Sequence, residues 1–506
     1  MNIFICFDIL YCGHRNDIHF MMCILINTKV RKMEKYLEYF YEIASIPHGS
    51  GNIKAISDYL KNFAMENGFY VRQDEKNNIV IIRDAHPELA DHEPVILQGH
   101  MDMVAVKTAD TKKNMEEEGL DLYVEDNVLR ARGTSLGGDD GIAVAYIMAI
   151  LTGEYKTPRI EAIITVDEEI GMLGASFLDV KDITAKRMIN IDQEEEGIFI
   201  VSCAGGATVD IDIPVEKEVK SGNVYSVSVS GLKGGHSGVD INKNRGNAIK
   251  IMADELSKLK ERIPFALIEF NGGVAENAIP NSAEVKLMLT DENLNSLFER
   301  EILGINGMDM YFGDEKAYDQ AVFAVSKVGY DEMIVLKDES TDKVLNVTKN
   351  VPYGIIAMNE SIEDMVQTSL NTGIIESRED SVALSICIRS SVEREKKDLI
   401  YKVCKIAKDA GASYEVCGDY AGWDYSPNSE LESYMVKVYE EMFSNKPRLE
   451  AIHAGLECGV FKGKIPELQC ISIGPDINNI HSVNENLPLD SADRCFKYLV
   501  RVLEGM

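Results

Sequence analysis

Four runs of the chain are short, continuously apolar and rich in β-branched residues: 95–98, 160–166, 188–191 and 468–473. A run without the polar alternation of a half-exposed strand has to be covered on both faces. These four therefore read as central strands of a sheet flanked by helices. Helical stretches at 141–151 and 428–443 supply cover, and the rhythm is that of an α/β domain. Nearer the start, 34–44 reads as a helix and 45–51 as a loop. An amphipathic helix over 52–68 then carries Ile56, Leu60 and Phe63 on one face and ends at Gly68.

The texture changes between about 206 and 423. Strands there alternate, as at 224–230 and 283–289, and helices at 246–262 and 393–410 intervene. Alternation marks a sheet with one wet face. The segment is expected to be an α+β domain inserted into the first. The expected organisation is an atypical extension (1–32), a first part of the main domain (33–206), the insertion (207–423) and a second part of the main domain (424–506). The extension has two short apolar patches broken by Asp8 and a charged middle, unlike the single apolar core of a signal peptide. It is expected to be dispensable, with Met33 able to serve as an initiator.

Charge narrows the partners. With 83 acidic against 52 basic residues the net charge is −31, which disfavours nucleic acid and anionic membrane surfaces. No apolar stretch approaches the roughly 18–20 residues that span a bilayer. The ten cysteines form no CxxC pair and several lie in apolar runs. That pattern fits buried thiols in a reducing compartment, so a cytoplasmic location is expected.

All four apolar runs end in residues able to bind metal or move protons. Gly99-His100-Met101-Asp102 follows the first and Asp167-Glu168-Glu169 the second. Asp192 follows the third, and a loop reaching His481 follows the fourth. Ligand crevices of open α/β sheets lie at the carboxyl ends of the strands. A fifth acidic element, Gly137-Gly138-Asp139-Asp140-Gly141, precedes the helix at 141–151. Each motif alone is an ordinary turn or solvated pair. Five in one crevice favour a metal cluster, because buried carboxylates need a partner or a cation.

The spaced set GHMD, GGDDG, DEEIG, NID and a late histidine resembles the di-zinc aminopeptidase/carboxypeptidase clan, and within it the aminoacyl-histidine (cytosolic nonspecific) dipeptidases. Further segments in common are Ser45-Ile46-Pro47-His48, Gly234-Gly235-His236-Ser237-Gly238, Asn277-Ala278-Ile279-Pro280 and Ile452 to Gly459. The likeness runs from Met33 nearly to the end of the chain. It implies a zinc-peptidase-like catalytic domain with a central mixed sheet and an inserted α+β lid. It further implies two Zn2+ per chain, replaceable by Co2+ or Mn2+, with Asp139 bridging them. His100 and Asp192 would complete one site, and Glu169 and His481 the other. Asp102 would orient His100, and Glu168 would act as general base on a zinc-bridged water. His236 would steady the oxyanion, while Asn277 and Arg389 would hold the substrate carboxylate. A cis peptide at Asp139–Asp140 is part of the same pattern. The substrates implied are small dipeptides, Xaa-His among them, and a homodimer is left open.

Local alternatives accompany several of these residues. His236 has the reading of a surface-loop histidine and Arg389 that of a structural ion pair. Glu457 faces substrate or caps a helix, and is not assigned to the site. Trp423 and Tyr425 read as packing at the domain junction. For the whole chain the competing functions are an aminoacylase or tripeptidase of the same clan, or a metal-free binding module. A serine or cysteine hydrolase is disfavoured because no GxSxG elbow is present.

Overall fold

The four apolar runs lie side by side at the middle of an eight-stranded sheet. Its order is Arg448–Ile452, Ile198–Cys203, Gln469–Ser472, Arg187–Asn190, Val95–His100, Ile160–Thr165, Ile79–Arg83 and Tyr70–Gln73. Gln469–Ser472, Arg187–Asn190, Val95–His100 and Ile160–Thr165 run parallel, whereas at one edge Ile79–Arg83 is antiparallel to Ile160–Thr165 and Tyr70–Gln73 antiparallel to Ile79–Arg83. The sheet is mixed, as expected. This computed structural model describes residues 24–26, 29–31, 33–306, 310–312, 315–317, 321–362, 364–427 and 429–506. Of the expected extension over 1–32, the description covers only the antiparallel pair Ile24–Ile26 and Lys29–Arg31, and the rest lies outside the described residues.

Period-two side chains explain why the sheet needs helices on both faces. Ile79, Ile81, Val95, Leu97, Ile160, Ala162 and Ile164 join one core with the helices Lys35–Ala44, Gly138–Thr152 and Leu489–Glu504. Val80, Ile82, Ile96, Ile163 and Met188 join a second, smaller core under Leu173–Phe177 and Glu457–Lys464. Gly138–Thr152 is apolar on every side and buried from Gly138 to Leu151, a helix threaded through the interior. Leu97 is fully buried at the centre of the first core. Leu97→Ala should cost about 2–5 kcal/mol, read as a lowered midpoint of urea unfolding.

A second sheet takes up residues 205–420. Its order is Val322–Leu336, Lys217–Ser230, Ala283–Leu289, Ala266–Gly272, Val366–Ser377, Ser381–Ser390, Gly205–Pro214 and Ser413–Tyr420, and Gly354–Met358 pairs with Val366–Ser377. The pairings are antiparallel. One face packs on Ala248–Lys260, Asp338–Asn350 and Glu393–Asp409 around a separate apolar core. The chain enters and leaves this region through adjacent strands. Cys203 N–H donates to Trp423 O at 3.1 Å, and Trp423 N–H returns to Cys203 O at 2.9 Å. Trp423 is buried in the smaller core and Tyr425 packs on the edge of the larger one.

The seven described cysteines are all free thiols. Among the described residues no helix is long and apolar enough to cross a membrane.

Candidate active site

The carboxyl ends of the central strands deliver the expected side chains to one place. His100 is the last residue of its strand, paired in register with Thr165. Past Thr165 the chain turns sharply at Asp167, whose φ of 53° lies in the left-handed region that aspartate tolerates. That turn presents Glu168 and Glu169. Asp192 follows Asn190 by two residues, and His481 sits on the long loop after Ser472. Asp139 stands at the start of the interior helix, and its peptide bond to Asp140 is cis.

Asp139 faces two separate groups with its two oxygens. Oδ1 lies 3.2 Å from His100 Nε2, which is itself 3.5 Å from Asp192 Oδ1. Oδ2 lies 3.1 Å from His481 Nε2, which is 2.9 Å from Glu169 Oε2. Donors arranged tetrahedrally about zinc at ~2.0–2.1 Å stand about 3.3 Å from one another. The four separations bracket that value, and both groups mix imidazole nitrogen with carboxylate oxygen, the donor set zinc takes. Glu169 Oε1 is buried without a hydrogen-bond partner, as suits a carboxylate shaped for a cation. The residues present therefore fit a pair of metal ions.

Asp140 also comes within 4.8 Å of His100 and Asp192. Its Oδ2 is already committed to the backbone N–H of His100 at 3.1 Å, and complete burial drives its carboxyl far above the usual range. It reads as a prop behind the strand. Hydrogen bonds to Asp139 and Glu169 push the His481 imidazole up to about 10. Burial lifts Asp192 to about 6. Burial works against charge on His100, but Asp102, Asp139 and Asp192 together outweigh it and hold the imidazole well above its ordinary value.

Asp102 does more than the sequence implies. His100 Nδ1 is closer to the backbone carbonyl of Asp102, at 3.0 Å, than to its carboxylate, at 3.5 Å. The carboxylate is turned toward the glutamate turn and accepts the N–H groups of Glu168 at 3.1 Å and Glu169 at 3.4 Å. Ser50 Oγ–H adds a third bond at 2.8 Å, and Gly51 N–H donates to Asp167 at 2.7 Å. The loop at 45–51 thus braces both the imidazole and the glutamates.

Two buried acids went unassigned in the sequence. Glu457 does not cap its helix. Gln98 Nε2 and Thr165 Oγ donate to it under the strand of His100, and burial pushes it up to about 8. Glu485 accepts four backbone N–H groups from 136–139. A cue was available for Glu457 alone: an acid beside an apolar run needs a partner.

The region of the second sheet gathers its own group. Arg389 is buried and its Nη1 donates to Tyr420 Oη at 3.3 Å, while its Nε has no partner. No carboxylate pairs with it among the described residues, which disfavours the structural ion pair. Burial, then the charge of Arg389, lowers His236; the same two causes bring His453 down to about 3. Gly238 N–H at 3.1 Å and Val239 N–H at 3.3 Å both point at His236 Nδ1. Asn277 is exposed beside them, and its loop is pinned because Asn371 Nδ2 donates to Glu276 O at 3.2 Å and Ala278 O at 2.8 Å. Gly455 lies between this group and the turn that presents the glutamates. A Cβ there would meet Met172 Cε at 2.7 Å and the Tyr420 ring at 3.0 Å. Met172 N–H is bonded to Glu168 O at 2.8 Å.

Comparison with known proteins places the chain among relatives. The chain is 33% identical over 470 residues to the cytosol non-specific dipeptidase of Escherichia coli K12, covering 92% of this chain and 96% of that one. The crystal structure of aminoacylhistidine dipeptidase from Vibrio alginolyticus superposes with a TM-score of 0.85 at 33% identity, over 93% of this chain and 96% of that one. The aminopeptidase PepT from Bacillus cereus shares the fold at a TM-score of 0.53 and 16% identity, over 93% of this chain and 98% of that one. Residues 96–505 match Peptidase family M20/M25/M40, and the chain belongs to that family.

Proposed function

We propose that this chain is a cytoplasmic, metal-dependent dipeptidase that uses two metal ions, zinc being the first choice, to hydrolyse small dipeptides such as Xaa-His. The observation that carries the reading is Asp139, whose Oδ1 and Oδ2 each face a histidine, His100 at 3.2 Å and His481 at 3.1 Å, with a second carboxylate beyond each. His100, Asp139 and Asp192 would hold one ion; Asp139, Glu169 and His481 would hold the other. When bound, such ions polarise a scissile carbonyl and lower the pKa of water.

The remaining chemistry falls to the protein. Glu168 stands next to a ligand but accepts no hydrogen bond among the described residues, so its carboxylate is free to move protons. It takes the proton from the attacking water and returns it to the leaving amine nitrogen. Asp102 fixes both the His100 ring and the amides that aim Glu168. His236 is kept neutral by burial, and two N–H groups occupy its Nδ1, so its proton sits on Nε2. That N–H is a ready donor to an oxyanion. Arg389, a buried cation without a carboxylate, matches the C-terminal carboxylate of a dipeptide, with Asn277 at the rim. Similarity at 33% identity to two dipeptidases supports the substrate class.

The test is hydrolysis of Xaa-His, Xaa-Gly, tripeptide and N-acetylated substrates with zinc, manganese and cobalt. The reading requires dipeptides to be cleaved best and a chelator to abolish cleavage. Preference for tripeptides or N-acetyl amino acids would move the chain to another activity of the family.

A further inference from the structure

The loop that carries Asp139 ends in the first turn of a helix, where backbone N–H groups lack intrahelical partners. Four N–H groups in and just before that turn converge on a single side chain. Glu485 Oε2 accepts from Leu136 at 2.7 Å and Gly137 at 3.0 Å, and Oε1 accepts from Gly138 at 2.8 Å and Asp139 at 3.2 Å. Glu485 is 4% exposed. Gly137, at a φ of 65°, supplies the left-handed step that turns successive amides into one concave nest, an arrangement suited to an anion.

The same side chain belongs to the loop that bears His481. The neck of that loop is closed by Asn478 N–H to Asn486 O at 2.9 Å and by the reverse bond at 3.0 Å. Beyond the neck, Asn486–Pro488 pairs with Val128–Ala131, which in turn pairs with Leu122–Glu125. Glu485 therefore ties two chain segments together by their backbones. Their side chains Asp139 and His481 meet at 3.1 Å. Glu485 bonds to the candidate centre through the main chain of Asp139.

We infer that Glu485 is a positioning residue: its four-amide clamp sets Asp139 against His481 and so fixes the geometry of the ion on the Glu169–His481 side. This rests on the two-metal reading. The clamp acts before substrate arrives, so its loss should weaken metal binding while leaving the groups around Arg389 undisturbed.

The test uses Glu485→Gln and Glu485→Ala beside the parent chain. Each is stripped of metal and titrated with Co2+, with the visible absorption of the bound ion and chelator competition as readouts. Glu485→Gln keeps the volume but turns one acceptor oxygen into a donor facing two amides. One Co2+ should bind as in the parent and the other about 10–100-fold more weakly, with an altered spectrum. The metal-free unfolding temperature should change little, as should KM for a dipeptide at saturating Co2+. Glu485→Ala should shift the same readouts further. Parent-like binding of both ions by Glu485→Gln would overturn the clamp alone. Failure of both variants to fold without metal would overturn it too, by assigning Glu485 to stability. A parent chain that takes up no Co2+ would overturn the two-metal reading and the clamp with it.

Discussion

Glu168→Gln is expected to lose about 10²–10⁴ in kcat while keeping its full complement of metal. The two adjacent glutamates are presented by one turn but placed differently. Glu169 Oε2 lies 2.9 Å from His481 Nε2, whereas Glu168 carries no side-chain bond among the described residues. Removing the Glu168 charge leaves every candidate ligand in place and takes away only proton transfer. Glu169→Gln is expected to behave differently and to release metal. Elemental analysis of the two purified variants beside their kinetics separates the roles. Equal loss of metal from both would contradict this division.

Arg389→Met should lower kcat/KM for dipeptides by about 10²–10³, because a buried charge-assisted pair broken on one side costs about 3–4 kcal/mol. The Arg389 guanidinium is buried, its one protein partner among the described residues is the Tyr420 hydroxyl, and its Nε is unsatisfied. A dipeptide amide, which lacks the terminal charge, gives the complementary test. The parent should discriminate strongly against it, and Arg389→Met should hydrolyse acid and amide at similar low rates. Metal content should stay at the parent level. A parent enzyme indifferent to the terminal carboxylate would remove Arg389 from recognition.

The central strands were legible because they are buried on both faces and leave continuous apolar runs. All four such runs proved to be neighbours in one parallel block. The flanking strands were harder. Tyr70–Gln73 is partly exposed at an edge, and Arg448–Ile452 is polar enough to pass for loop. The gathering of His100, Asp139, Glu169, Asp192 and His481 followed from where those strands end. What spacing did not reveal is how the site is braced. The partners of Glu485 are backbone amides, which leave no mark on residue identity, and Asp102 turns toward the amides of Glu168 and Glu169 for the same reason. Glu457 was open to notice as an acid beside an apolar segment, but its partners Gln98 and Thr165 lie 359 and 292 residues earlier. Contacts across such a distance become visible only in the fold.

The most direct test of the account is a crystal of the zinc-loaded protein measured at the zinc absorption edge. Two anomalous peaks are expected about 3.5–4 Å apart, one on each side of the Asp139 carboxylate, the first beside His100 and Asp192 and the second beside Glu169 and His481. A single peak, or ions bound away from Asp139, would contradict the shared-carboxylate centre on which the proposed chemistry depends.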